Sequence, residues 1–127
     1  MDWNSEVDRG SSLAKLRGLF IMRRIRSHQG NLETLKDWEF KLIEKLINRE
    51  ETLKIYIHQA SNTNYFWISV VEPTTQIIRS YSKDFVDVLN EYIDKYPDIN
   101  CDFLVLSEDE IYSSDIPKDS IILNVKG

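Results

Sequence analysis

Apolar and polar residues recur along this chain with two different periods, which predicts a mixture of helices and strands. The clearest helical stretch follows Asn31, where apolar residues return every three or four positions, as one buried helix face requires. These residues are Leu32, Leu35, Trp38, Leu42, Ile43, Leu46 and Ile47. Asn31 is a suitable N-cap, and Glu39 falls on the side that should face water. We predict a helix that begins at Asn31 and ends between Asn48 and Glu51.

A weaker helical pattern precedes it. Leu13, Leu16 and Phe20 lie along one side of a helix predicted over residues 13–27, and further apolar residues widen that surface beyond one face. Gly30 then interrupts the pattern. The extra apolar surface suggests that this helix can dock on a second copy of itself.

Beyond residue 52 the period changes to two, which predicts strands. Apolar residues alternate with others from Leu53 to Ile57, and residues 65–71 are aromatic and β-branched. The turn formers of residues 61–64 separate these two segments. We predict a three-stranded meander with strands over residues 53–59, 65–71 and 76–81.

The remaining third of the chain predicts a helix, a strand, a short helix and a last strand. Ser82 can cap a helix whose apolar stripe ends before Pro97, and Phe103 to Leu106 is a short apolar strand. Ser107 and Glu110 match a capping box, which predicts one helical turn. The last strand is predicted over residues 120–125.

These elements predict an α+β fold of order α-α-β-β-β-α-β-(short α)-β. We expect a mostly antiparallel sheet of about five strands with helices packed on it. The apolar character of the strand at residues 103–106 on both faces suits a central or parallel position. Residues 1–30 are expected to form a basic N-terminal segment, and residues 31–127 a single α+β domain.

Composition and charge narrow the function classes. The 127 residues carry a net charge of −5, but residues 1–30 hold six Lys/Arg and three acids, whereas residues 31–127 hold ten and 18. A single cysteine cannot form an internal disulfide, and no apolar stretch approaches the roughly 20 residues of a membrane span. We therefore expect a cytoplasmic protein that does not span a membrane.

The side chains that carry enzyme chemistry are few and scattered. Cys101 lies beside Asp102, whose carboxylate should raise the pKa of the thiol, and His28 and His58 show no spacing that suits a nucleophile or zinc. The four glycines never cluster as a phosphate-binding loop would require. Carboxylates gather at residues 108–110, but the capping box accounts for Glu110. We expect no catalytic centre, no metal site and no cofactor.

The leading hypothesis is a non-enzymatic protein-interaction domain (an inhibitor, an immunity-type protein or an adaptor) that binds a partner with a basic surface. Six acids and two aromatic anchors are the predicted contacts: Glu91, Asp94, Asp98, Glu108, Asp109, Asp115, Tyr92 and Tyr112. The first alternative is a nucleic-acid-binding protein. It would use Arg23, Arg24 and Arg26 on phosphates and Tyr65 or Trp67 for base stacking. The second alternative is a homo-oligomeric structural module, a homodimer through the helix at residues 13–27.

Overall fold

The computed structural model describes residues 21–112 and 116–126, and residues 21–24 are helical. The elements that follow are β1 (Ser27–Gln29), a 3₁₀ turn (Leu32–Thr34), α1 (Asp37–Ile47), β2 (Lys54–Ala60), β3 (Thr63–Val70), α2 (Thr75–Tyr92), β4 (Cys101–Ser107), α3 (Glu108–Tyr112) and β5 (Ile121–Asn124). The fold is therefore α+β with five strands, and four of these match predicted strands, whereas β1 was not predicted.

The sheet is mixed rather than mostly antiparallel, which corrects the prediction. Its strand order is β1-β5-β2-β3-β4, with β4 parallel to β3 and the other neighbours antiparallel. The 18-residue helix α2 joins β3 to β4 and returns the chain to the end of the sheet where β3 began. A strand reached through such a crossover runs parallel to the one before it. The parallel position foreseen for residues 103–106 is thus correct, but β4 is an edge strand rather than a central one.

The predicted third strand over residues 76–81 is wrong, because these residues open α2. Thr74 caps this helix, its Oγ1 accepting a hydrogen bond from the N–H of Ile77 at 3.2 Å, and Ser82 lies inside it. Tyr81, Phe85 and Val88 continue one buried stripe. The β-branched and aromatic residues of the first two turns favour a strand locally, and packing on the sheet overrides that preference. Of the predicted three-stranded meander, only the hairpin of β2 and β3 is present.

Two helix boundaries also need correction. Of the helix predicted over residues 13–27, residues 13–20 lie outside the described chain, and Ser27 belongs to β1, which pairs with β5. Asn31 caps the 3₁₀ turn by accepting from the N–H of Glu33 at 3.0 Å, and α1 begins only at Asp37. Glu39, expected to face water, is buried at 5% exposure, and its Oε1 accepts from the N–H of Lys36 at 3.0 Å. A buried carboxylate with a backbone donor is a local cap that the apolar pattern did not reveal.

Other local predictions are confirmed. Every residue of the apolar face predicted for the first long helix is buried. The hairpin turn places Ser61 and Asn62 at φ 51° and 66°, as a tight two-residue turn between twisted strands requires. The capping box forms as written: Glu110 Oε1 accepts from the N–H of Ser107 at 3.1 Å, and Ser107 Oγ accepts from the N–H of Glu110 at 3.3 Å.

Both long helices pack on one face of the sheet. Phe85 of α2 stacks on Phe103 of β4 with ring centroids 4.3 Å apart, and Trp38 of α1 contacts Phe66 at 6.3 Å. On the side of α2 that faces α1, Asp84 accepts two hydrogen bonds from the guanidinium of Arg49, at 2.5 and 2.9 Å. This arrangement places α2 over β3 and β4 and fixes its rotation about its own axis.

Candidate interaction surface along the free edge of the sheet

The sheet ends on one side in β4, a strand of seven residues that pairs only with β3 among the described residues. The N–H of Asn64 donates to the carbonyl of Asn100 at 2.8 Å. In a parallel ladder this register turns the main-chain groups of residues 102, 104 and 106 toward β3. The main-chain groups of the alternate residues, Cys101, Phe103, Val105 and Ser107, therefore point away from the sheet. The opposite edge, β1, has three residues. Within residues 21–112 and 116–126, the long free edge of this sheet is thus β4.

Two of the four outward amides are already bonded to acidic side chains. Asp102 Oδ1 accepts from the N–H of Phe103 at 2.8 Å, and Glu110 Oε1 accepts from the N–H of Ser107. No neighbouring strand of the described chain reaches the outward N–H and C=O of Val105. Charged residues on an edge strand are a common protection against unwanted strand pairing. The β4 edge is therefore partly guarded by carboxylates and partly open.

Exposed apolar side chains flank this edge on both faces of the sheet. Leu104 lies opposite Trp67 on the second face, which we define as the face away from α1 and α2, and it is 49% exposed. On the helix side, Val86, Leu89 and Ile93 occupy the flank of α2 opposite Asp84, by the 100° rotation per residue. Because Asp84 points toward α1, this apolar flank of α2 lies toward the β4 edge. Val86 and Ile93 are 51% and 44% exposed.

The predicted acidic contacts divide into two groups. Asp98 is exposed just before β4, and Glu108 and Asp109 begin α3 directly after it. Glu91 and Asp94 are exposed, the first in the last turn of α2 and the second two residues beyond the end of that helix. The structure thus brings three of the six acids to the ends of the free edge. Asp115 lies outside the described residues.

The predicted aromatic anchors have different settings. Tyr92 is half-buried and packs against the core, with its ring 6.5 Å from that of Tyr96. Tyr112 is the last residue of α3. The sequence pattern pointed to Asp102 as a neighbour of the Cys101 thiol and not as part of a strand edge. The signal that was available is a single acid within an apolar strand, which is typical of edge strands.

The electrostatic character of this region has one sign. Between Lys95 and Lys118 the sequence contains six acids and no Lys or Arg. Those acids are Asp98, Asp102, Glu108, Asp109, Glu110 and Asp115. The segment that contains β4 and α3 therefore carries a concentrated negative charge and has no basic residue of its own to neutralise it.

The residues predicted for nucleic-acid binding lie far apart on the sheet. Tyr65 and Trp67 are half-buried on the second face, where His58 stacks on Tyr65 at 5.0 Å and meets Trp67 edge-on at 5.3 Å. Arg23, Arg24 and Arg26 are exposed at residues that lead into β1, three strands away. With strands about 4.8 Å apart, the lateral separation alone is roughly 14 Å. The structure does not bring the arginines and the aromatic pair together.

Burial shifts the pKa values of three titratable groups, which are Cys101, Glu39 and His58. Burial, with the carboxylates of Glu39 and Asp102 nearby, raises the pKa of the Cys101 thiol to about 12. Burial also raises the pKa of Glu39. Desolvation lowers the pKa of His58, whose Nδ1 is buried without a hydrogen-bond partner. Cys101 is therefore a protonated thiol at neutral pH rather than a nucleophilic thiolate.

A polar cavity of about 580 Å³ lies at the end of the sheet where β4 begins. Carboxamides and two lysines line it, including Gln59, Asn64, Asn100, Lys36 and Lys95. Lys95 is held by Asp37, whose Oδ2 lies 2.7 Å from the ammonium. Within residues 21–112 and 116–126, no three His, Cys, Asp or Glu side chains group as a metal site, and no helix is long and apolar enough to cross a membrane.

No protein-family model, no curated protein and no solved structure matches the chain.

Proposed function

We propose that this protein is an interaction domain that binds a partner protein with a basic surface, through the acidic region around β4. The observation that carries the proposal is the placement of Asp98, Asp102, Glu108 and Asp109 along and at both ends of a free seven-residue edge strand. An inhibitor, an immunity-type protein and an adaptor are the members of this class that the small size suits.

Charge and shape both support this proposal. A negative surface accelerates encounter with a basic partner and disfavours acidic ones. Exposed apolar side chains at Leu104 and on the flank of α2 supply surface that such a contact would bury. A specific interface is expected to combine acids that steer the partner with apolar side chains that become buried on binding.

Two charge-reversal variants with the same change in net charge test the proposal. Asp102→Lys/Asp109→Lys alters the β4 region, and Glu91→Lys/Asp94→Lys alters the C-terminal end of α2 and the residues just after it. The full chain is used for affinity capture from its source cells at low and at high salt, with quantitative mass spectrometry. We expect a salt-sensitive basic partner that the β4 variant loses and the α2 variant keeps. Equal capture by both variants, or no partner retained by the unaltered chain, would refute the proposal.

A second candidate, nucleic-acid binding, draws on Tyr65 and Trp67, which lie half-exposed side by side on the second face. Aromatic side chains on a sheet face can stack unpaired bases. Titration with single-stranded RNA and DNA at low salt tests it, with Trp67→Ala as the variant. Salt-dependent binding that Trp67→Ala weakens supports this function, and absence of binding excludes it.

A further inference from the structure

We infer that the partner binds by strand addition: an extended segment of that partner, in which apolar residues alternate with Lys or Arg, pairs with the outer edge of β4. This inference rests on the proposed function and specifies how the acidic region is used. In this mode main-chain hydrogen bonds supply affinity, and the alternating side chains supply specificity.

The main-chain groups of β4 are arranged for such pairing. Val105 points both its N–H and its C=O outward, and the carbonyl of Phe103 points the same way. The N–H of Phe103 is occupied by the side chain of Asp102, which is exposed and can rotate away. An incoming strand therefore finds open groups at the centre of β4 and displaces one local hydrogen bond.

The side chains of an added strand would meet two different environments. Those on the helix side would lie against the apolar flank of α2, where Val86 and Ile93 are half-exposed. Those on the second face would lie beside Asp102 and Leu104. Apolar residues suit the first environment, and lysine or arginine, with an apolar stem and a charged end, suits the second. This is the reason for the alternating pattern.

A second copy of this chain fits the edge less well. Pairing β4 with another β4 would bring together two segments that each carry six acids and no base between Lys95 and Lys118. Like charges in direct opposition across a strand pair are destabilising. The same carboxylates that repel a copy attract a basic segment, so Asp102 both guards the edge and selects its occupant.

A library of acetylated octapeptides tests the binding mode. Lys or Arg stands at alternate positions, and Val, Ile, Leu, Phe and Tyr vary at the others. Binding is measured by fluorescence anisotropy with the full chain, and amide hydrogen exchange is followed residue by residue. We expect at least one member to bind and to slow exchange of the Val105 amide by about tenfold or more. For each binder, a matched peptide is N-methylated at the alternate amides that would face β4. This peptide keeps the charge and side chains of its parent but cannot pair as a strand, so it should not bind.

Two protein variants separate the outcomes. Val86→Lys places a charge against the apolar side chains expected at the helix-side positions, and Asp102→Asn removes the acid while leaving an acceptor for the N–H of Phe103. Both residues are exposed, so neither variant removes a buried contact. We expect each variant to weaken the selected peptide severalfold.

The failures of the two proposals differ. If the N-methylated peptide binds as well as its parent, or Val105 exchange is unchanged on binding, strand addition is wrong while the acidic interaction can still stand. If no library member binds, strand addition is again wrong, and the capture experiment with the two charge-reversal variants decides the proposed function independently.

Discussion

The ion pair between Arg49 and Asp84 should be the most costly polar contact to break from one side only. Asp84 is buried, with a side chain 10% exposed, while that of Arg49 is 29% exposed. Arg49 also donates to the carbonyl of Ser80 at 3.1 Å. Arg49→Met would therefore leave a buried carboxylate without its two donors. Removing one member of a buried pair costs about 3–5 kcal/mol, and the partial exposure of Arg49 reduces our expectation to about 2–3 kcal/mol.

Urea unfolding followed by tryptophan fluorescence measures this cost, since Trp38 is buried. With a slope of about 1–3 kcal/mol per M for a chain of this size, the midpoint should fall by roughly 1 M or more. Adding Asp84→Leu to Arg49→Met should restore much of the loss, because no lone buried charge remains. Lys95→Met is the matched control. Lys95 is 62% exposed in its pair with Asp37, so its loss should cost less than about 1 kcal/mol. Equal midpoints for Arg49→Met and Lys95→Met, or simple additivity in the double variant, would contradict this reasoning.

Three further predictions concern the backbone and the buried titratable groups. Glu39→Gln should stabilise the protein at pH 7 but not at about pH 3 in urea unfolding. Burial raises the pKa of Glu39 in the folded state above 4.5, so the free energy of unfolding falls as pH rises from the unfolded-state pKa to the folded-state pKa. Equal effects at both pH values would be inconsistent with this. Gly30→Ala should lower the free energy of unfolding by about 1–3 kcal/mol in thermal unfolding, because φ is +98° and the new Cβ would lie 3.0 Å from Cα of Ile121. An unchanged melting temperature would show that the turn can relax. Cys101 should react with a disulfide reagent at pH 8 about a thousandfold more slowly than an unfolded control, because a pKa of about 12 against 9.0 lowers the thiolate fraction by that factor. A rate near that of the control would exclude a half-buried neutral thiol at this position.

The region around α2 shows how far local pattern could predict the fold. The apolar spacing from Phe85 onward indicates a helix, and the structure has one. The preceding residues 76–81 carry β-branched and aromatic side chains that favour a strand by propensity, and they are helical because Tyr81 joins the same buried stripe. Local preference is worth fractions of a kcal/mol per residue, whereas burying a large side chain is worth about 1.5–3 kcal/mol. Packing therefore decided the boundary.

The candidate site divides in the same way. The acids at Asp98, Glu108 and Asp109 could be named from the sequence because charge is a property of composition. Asp102 could not be placed, since its meaning depends on β4 being an edge strand. The aromatic pair Tyr65 and Trp67 was correctly assigned to one strand, but its separation from the basic N-terminal residues depends on strand order, which no local pattern contains.

The sequence by itself determined the α+β class, the buried face of α1, the β2–β3 hairpin and the capping box that begins α3. Each of these follows from residues within a few positions of one another, where periodicity and side-chain hydrogen bonds act directly. Only the tertiary structure decided that β4 lies parallel to β3 at the edge, that Glu39 is buried and that the acids at residues 98, 102, 108 and 109 line one free strand. Those features arise from contacts between segments distant in sequence, whose energies depend on how α2 packs across the sheet.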